Sequence, residues 1–166
     1  VRRLLDMEKP LILDADGINA LQHHINTLSV RHDRVTVLTP HEGEFVRVGG
    51  DLSLGRERAA REFALQHGTY LVLKGHRTIV AAPDGRMAVN TTGNAGMAKG
   101  GSGDILSGML LSLLGQGMAP FEACCAAAWL HGRAGDLAAA DKGERGMIPG
   151  DLLEQIPYAM KNLSDK

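Results

Sequence analysis

The sequence predicts an α/β domain in which helices cover both faces of a mostly parallel sheet. Two observations carry this reading. Apolar strand segments alternate with helical segments along the chain, and three of those strands are nearly continuous apolar runs. A strand with one buried face alternates apolar and polar residues, whereas a strand buried on both faces does not. A hairpin pattern after the third strand adds an antiparallel pair at one edge.

The elements follow in order. Leu11-Ile12-Leu13 is the first strand, closed by Asp14-Ala15-Asp16-Gly17, and a short helix is expected over residues 18–22. Val35-Thr36-Val37-Leu38 is the second strand. Thr39-Pro40-His41-Glu42 then reads as a helix start, with Thr39 as N-cap, Pro40 first in the helix and Glu42 completing a capping box. That puts His41 at the second helical position of a helix reaching about Val48. Residues 56–66 form an amphipathic helix stopped by Gly68, and Tyr70-Leu71-Val72-Leu73 is the third strand. Residues 78–82 and 87–90 flank Pro83-Asp84-Gly85 as a hairpin. Ile105, Leu106, Met109, Leu110, Leu113 and Leu114 recur at helical spacing. Residues 123–140 make an Ala-rich helix, and Pro149 opens a last one running to about residue 156.

Bulk properties narrow the function classes. A length of 166 residues fits one domain with a real core. Lys and Arg number 18 against 19 Asp and Glu, so no charge excess draws the chain to nucleic acid or an anionic membrane. No apolar run approaches the roughly 18 residues of a membrane span. The two cysteines, Cys124 and Cys125, are adjacent in a helical pattern and point apart. They read as buried thiols of a reducing compartment, which favours the cytoplasm.

The chemistry concentrates in Asn94-Ala95-Gly96-Met97-Ala98-Lys99-Gly100-Gly101-Ser102-Gly103-Asp104. Such glycine density resists regular structure and lets backbone N–H groups approach a ligand. The helix that starts near Ser102 or Gly103 adds unpaired N–H groups and a positive dipole end, so the segment suits a phosphate. Asp104 then lies in the first helical turn beside the anion; the plainer alternative is that it only caps the helix. The pattern matches neither the P-loop nor the dinucleotide fingerprint.

Lys74-Gly75-His76-Arg77-Thr78 follows the carboxyl end of the third strand, where open α/β sheets bind ligands. A phosphate or ribose contact and a solvated turn are equally compatible with it. His41 and the pair Asp14 and Asp16 follow carboxyl ends of strands too. The carboxylates can orient a substrate or a hydrated Mg2+, or cap the next turn, which is the preferred reading for Asp14. His23, His24, His32, His67 and His131 lack metal-ligand spacing and are taken as structural or surface residues.

Four motifs occur in an order that resembles the NAD(P)H-hydrate dehydratases: Asp14-Ala15-Asp16-Gly17-Ile18-Asn19-Ala20-Leu21, Thr39-Pro40-His41-Glu42-Gly43-Glu44, Lys74-Gly75, and the glycine-rich segment ending at Asp104. The resemblance runs from about Leu11 to Ile156. It implies a three-layer αβα fold of the ribokinase-like type and a repair enzyme. The substrate is the S form of hydrated NADH or NADPH, and ADP or ATP drives loss of water, giving NAD(P)H, AMP or ADP, and phosphate.

The same resemblance implies residue roles. Asp104 is the catalytic acid–base group, and His41, Asp104, Asp16 and Asn19 contact the hydrated cofactor. Lys74, Gly75, His76, Arg77 and Thr78 hold the adenine nucleotide, with Gly101, Ser102 and Gly103 on its phosphates. Mg2+ is expected to bridge those phosphates without a dedicated protein cage. Relatives carry further N-terminal strands and another glycine-rich segment, so residues 1–166 are expected to be one partial domain, the carboxyl portion. A homo-oligomer and a fused epimerase domain are also implied. The rival readings are a small-molecule kinase of the same superfamily and a non-catalytic nucleotide-binding module.

Overall fold

The computed structural model describes residues 2–164. A short helix α1 (Arg2–Leu5) leads to β1 (Leu11–Leu13), α2 (Asp16–Asn19), β2 (Thr36–Leu38) and α3 (Glu42–Arg47). Then come α4 (Arg56–His67), β3 (Tyr70–Leu73), the hairpin β4 (Ile79–Ala81) and β5 (Met87–Val89), and the helices α5 (Ser102–Gly115), α6 (Pro120–Gly146) and α7 (Pro149–Ser164). The sheet order is β1-β2-β3-β4-β5. The first three strands are parallel and the hairpin is antiparallel at the edge, as expected.

The apolar strands bury both faces by alternation. Leu13, Leu38, Leu71, Leu73 and Ile79 pack with α2, α3 and α4, around Ile18, Phe45 and Phe63. The intervening Val37, Val72 and Val80 face α5 and α6, meeting Leu106, Leu110, Ala123 and Ala127. Each such side chain contributes about 1.5–3 kcal/mol of apolar burial, so continuous apolarity is what a two-faced sheet requires. Helix α7 lies outside α6, where Leu152 and Ala159 meet Leu130 and Ala134. Cys124 and Cys125 are unpaired, and burial pushes the Cys124 thiol up to about 12. Among the described residues no helix is long and apolar enough to cross a membrane.

Several element boundaries differ from the sequence reading: α2 lies at Asp16–Asn19 rather than 18–22, and α7 runs on to Ser164 rather than stopping near 156. Helix α3 starts later: His41, not Thr39, is its N-cap, and Glu44, not Glu42, completes the capping box. The reason is tertiary. The Thr39 N–H and hydroxyl donate to the Leu13 carbonyl, and the Pro40 carbonyl accepts from Lys74 N–H at 2.8 Å. Sheet pairing thus runs past β2 and postpones the helix. Helix α6 is longer than expected at both ends, and Gly143, at φ 73°, breaks its regularity before Gly146.

Candidate functional site

The carboxyl ends of β1, β2 and β3 open into a cavity of 720 Å³ bounded by the glycine-rich segment and the N-terminus of α5. That volume accommodates a nucleotide-sized ligand. At its base, Lys74 Nζ donates to Asp14 Oδ1 at 2.7 Å, Ser107 Oγ donates to Asp14 Oδ2 at 3.2 Å, and Glu44 Oε2 is 4.0 Å from the ammonium. A Cβ on Gly103 would stand 3.3 Å from Asp14 Oδ2 and 3.4 Å from Lys74 Nζ, so the α5 turn packs closely over this pair. Asp14 therefore does not cap the next turn, as the sequence suggested: the cap position is Ala15, with φ 44° and no side-chain cap bond.

The Asp14–Lys74 pair carries a pH signature. Burial raises the Asp14 pKa, but the hydrogen bond and charge of Lys74, with help from Thr39 and the Ala15 N–H, outweigh it and hold the carboxyl below its ordinary 3.8. A carboxyl depressed on folding stabilises the native state above its unfolded value and loses that contribution as pH falls through the folded one. Its contribution is expected to be complete above about pH 5 and to fade below about pH 4. Asp14→Asn flattens this acid limb in urea titrations run across pH; an unchanged limb contradicts the pairing.

The glycine-rich segment is held at both ends by α6. Asp136 accepts the Gly93 N–H and the Asn94 side-chain amide, both at 3.0 Å. Asn94 in turn caps a single 3-10 turn, Ala95–Met97, through Gly96 N–H at 3.0 Å. Lys99 Nζ donates to the carbonyls of Glu144, Arg145 and Met147. Gly101, at φ 95°, is the N-cap of α5 and offers no side chain to cap it. The N–H groups of Gly103 and Asp104 consequently have no partner within the helix and border the cavity. Asp104 stands exposed on that wall, in the first turn of α5.

The loop after β3 is shaped from below. Arg56 Nη1 donates to the His76 carbonyl at 2.6 Å while its Nε lies 2.9 Å from Glu42. Thr78 Oγ1 donates to the Gly75 carbonyl at 3.1 Å. A Cβ on Gly75, at φ 149°, would come within 2.7 Å of Arg56 Nη2. Lys74, Gly75, His76, Arg77 and Thr78 all line the cavity, although Lys74 points inward to Asp14. His41, bridged to Lys74 at the sheet edge, lines it too. Its Nδ1 accepts the Gly43 and Glu44 N–H groups at 3.0 and 3.3 Å, so the ring proton resides on Nε2.

A family model described as NAD(P)H-hydrate dehydratase matches residues 1–158 of the chain. The chain belongs to the NAD(P)H-hydrate dehydratase family. It is similar to a bifunctional NAD(P)H-hydrate repair enzyme of Moorella thermoacetica, 43% identical over 171 residues that take in 100% of this chain and 32% of the relative. It is also similar to the ADP-dependent (S)-NAD(P)H-hydrate dehydratase of Neisseria meningitidis, 42% identical over 87% of this chain and 51% of that protein. The chain thus spans between a third and a half of these relatives. Among solved structures, the ADP/ATP-dependent NAD(P)H-hydrate dehydratase of Bacillus subtilis, co-crystallised with ATP and Mg2+, superposes with a TM-score of 0.84 at 34% identity, over 96% of this chain and 57% of that one. A Thermotoga maritima ribokinase, at 16% identity and a TM-score of 0.56, shares the fold.

In this member of the dehydratase family the cavity gathers His41, Lys74, Gly75, His76, Arg77, Thr78, Gly101, Ser102, Gly103 and Asp104. Asp16 and Asn19 lie outside it. They bond to each other at 3.3 Å, and Arg47 Nη1 donates to Asn19 Oδ1. Among the described residues no cluster of three or more His, Cys, Asp or Glu is arranged to hold a metal. The sequence reading missed Asp136, Arg56 and His131, the last a cavity residue despite its assignment as structural or surface. The available signal was the glycine pair Gly132 and Gly135 inside an Ala-rich helix. Helix-interior glycine is unfavourable unless another backbone must come close. A Cβ at Gly132 would meet Thr92 Oγ1 at 2.2 Å, and one at Gly135 would meet Met97 Sδ at 2.3 Å.

Proposed function

We propose that this chain supplies the nucleotide-binding and phosphoryl-transfer side of a site that dehydrates the S form of hydrated NADH or NADPH at the expense of ADP or ATP. The observation that carries the reading is the uncapped α5 N-terminus with Asp104 in its first turn, facing one cavity with the Lys74–Thr78 loop. Asp104 takes the proton of the ring hydroxyl as its oxygen attacks the terminal phosphorus of the nucleotide. The P–O bond to AMP or ADP breaks as the new one forms. The N–H groups of Gly103 and Asp104 face the charge that develops on the phosphoryl oxygens. Phosphate then departs with the electron pair of the C–O bond, a neighbouring ring proton leaves, and the double bond of NAD(P)H returns.

Mg2+ fits this site as a partner of the phosphates. The Asp14 oxygens are already bonded to Lys74 and Ser107, which leaves Asp104 as the carboxylate open to the cavity. When bound, such an ion neutralises phosphate charge. The relatives named as bifunctional support a second, epimerising domain in the same polypeptide, and the two unpaired cysteines, of which Cys124 is buried, fit a reducing cytoplasm. A homo-oligomer completes the proposal.

The test is to incubate the full-length protein with hydrated NADH and either ADP or ATP. Reappearance of NADH absorbance, matched mole for mole by inorganic phosphate, is the expected result. A stable phosphorylated product without NADH overturns the reading in favour of a small-molecule kinase.

A further inference from the structure

The dehydratase reading leaves one histidine of the cavity lining without a task. His131 lies on α6, and its Nε2 sits 2.9 Å from the Ser102 carbonyl oxygen and 3.4 Å from Ser102 Oγ. A carbonyl only accepts, so Nε2 carries the ring hydrogen and donates it. Ser102 and Gly103 share a planar trans peptide, in which C=O and N–H point in opposite directions. Fixing the Ser102 carbonyl on α6 therefore fixes the direction of the Gly103 N–H at the opposite edge of that plane, on the cavity wall.

Helix geometry alone would orient the same peptide, but first turns fray when nothing caps them. That is the situation of α5. Its N-cap is Gly101, in a left-handed conformation and with no capping side chain. His131 supplies from another helix the restraint that the sequence withholds locally. Asp136, on the same helix, restrains the opposite end of the glycine-rich segment at Gly93 and Asn94.

We infer that His131 is a positioning residue for phosphoryl transfer: its Nε2–H grips the Ser102 carbonyl and holds the Gly103 N–H toward the transferred phosphoryl group. The inference rests on the function proposed above, which supplies the phosphoryl group. Burial holds the His131 pKa below its ordinary value against the opposing pull of the Ser102 carbonyl, and the Lys74 ammonium lowers it further. The ring is accordingly neutral at pH 7, with Nδ1 bare.

Three measurements on the full-length protein test the inference. Nitrogen-15 spectra of labelled histidine are expected to show His131 as the neutral Nε2–H tautomer; the Nδ1–H tautomer overturns the tie. His131→Ala is expected to lower kcat about 10- to 100-fold, less than the 10²–10³ of deleting a transition-state donor, because the N–H is misaimed and not removed. KM for the hydrated cofactor moves less than about 3-fold, and His131→Gln, which keeps an N–H near the Nε2 position, recovers most of the loss. Wild-type kcat in a folded Ala variant, or equal losses in Ala and Gln, overturns the positioning role.

The third readout does not need turnover. The Gly103 amide resonance is expected to shift on titration with ADP in the wild type and to shift less in His131→Ala. Equal shifts overturn the inference even if the chain proves to be a kinase. A wild type with no turnover but with the expected tautomer and shifts counts against the proposed reaction and leaves the tie standing.

Discussion

Asp104→Asn is expected to lower turnover of hydrated NADH by about 10²–10⁴-fold, the usual worth of a positioned general base. The substitution keeps the size and shape of the side chain and removes only its capacity to take a proton. Asp104 is exposed, and Gly101 rather than Asp104 is the cap residue of α5. Folding should accordingly be indifferent, with stability within about 0.5 kcal/mol of the wild type. The N–H groups that face the phosphates stay in place, so ADP affinity by calorimetry is expected to change less than about 3-fold, and removing an anion beside the phosphates acts toward tighter binding. Loss of kcat with retained affinity assigns Asp104 to the chemical step. Retained kcat removes it from that step and points instead to the other carboxylate of the cavity, Asp14. A non-catalytic binding module has no turnover to lose.

The difference between these two carboxylates shows what the sequence made legible. The three apolar strands and the hairpin were readable because two-faced burial writes itself into every residue of a strand, as in Tyr70–Leu73. The glycine-rich segment was readable because its backbone freedom has no cheaper explanation. The roles of Asp14 and His41 were harder to read. Asp14 looked like a cap, and only folding brings Lys74 within 2.7 Å of it. His41 looked like the second residue of a helix, but the Lys74 N–H to Pro40 carbonyl bond extends the sheet and makes His41 the cap. In both cases a local preference gave way to pairing with β3. His131 was hidden for a different reason: a histidine that donates to one carbonyl needs no partner at a fixed spacing, so no motif announces it.

Arg31 was equally silent in the sequence, and its replacement carries the largest stability loss expected here. It is 1% exposed, yet among the described residues no carboxylate is bonded to it. Its Nε donates to Thr36 Oγ1 at 2.8 Å, Nη1 to the carbonyls of Leu5 and Met7 at 3.1 and 2.6 Å, and Nη2 to those of Lys9 and Val35 at 2.8 and 3.2 Å. All five guanidinium hydrogens are thereby used. The residue ties the segment before β1 to the start of β2, where Leu11 N–H also meets the Val35 carbonyl at 3.0 Å. Arg31→Met preserves length and apolar stem but leaves four carbonyls and a hydroxyl without this donor. A buried acceptor stripped of its partner costs about 1–3 kcal/mol, and water recovers part of that for the exposed Met7 and Lys9. Relief from burying a charge offsets more of it, which leaves a net loss of about 2–4 kcal/mol. At about 2–4 °C per kcal/mol for a chain of this size, Tm falls by roughly 10 °C. Arg31→Lys recovers little, because an ammonium has three donors and no fork. Hydrogen exchange should accelerate first along β1, and since Asp14 follows β1 directly, kcat is expected to fall with it. A Met variant within about 0.5 kcal/mol of the wild type would show that these carbonyls find water as readily as they find Arg31.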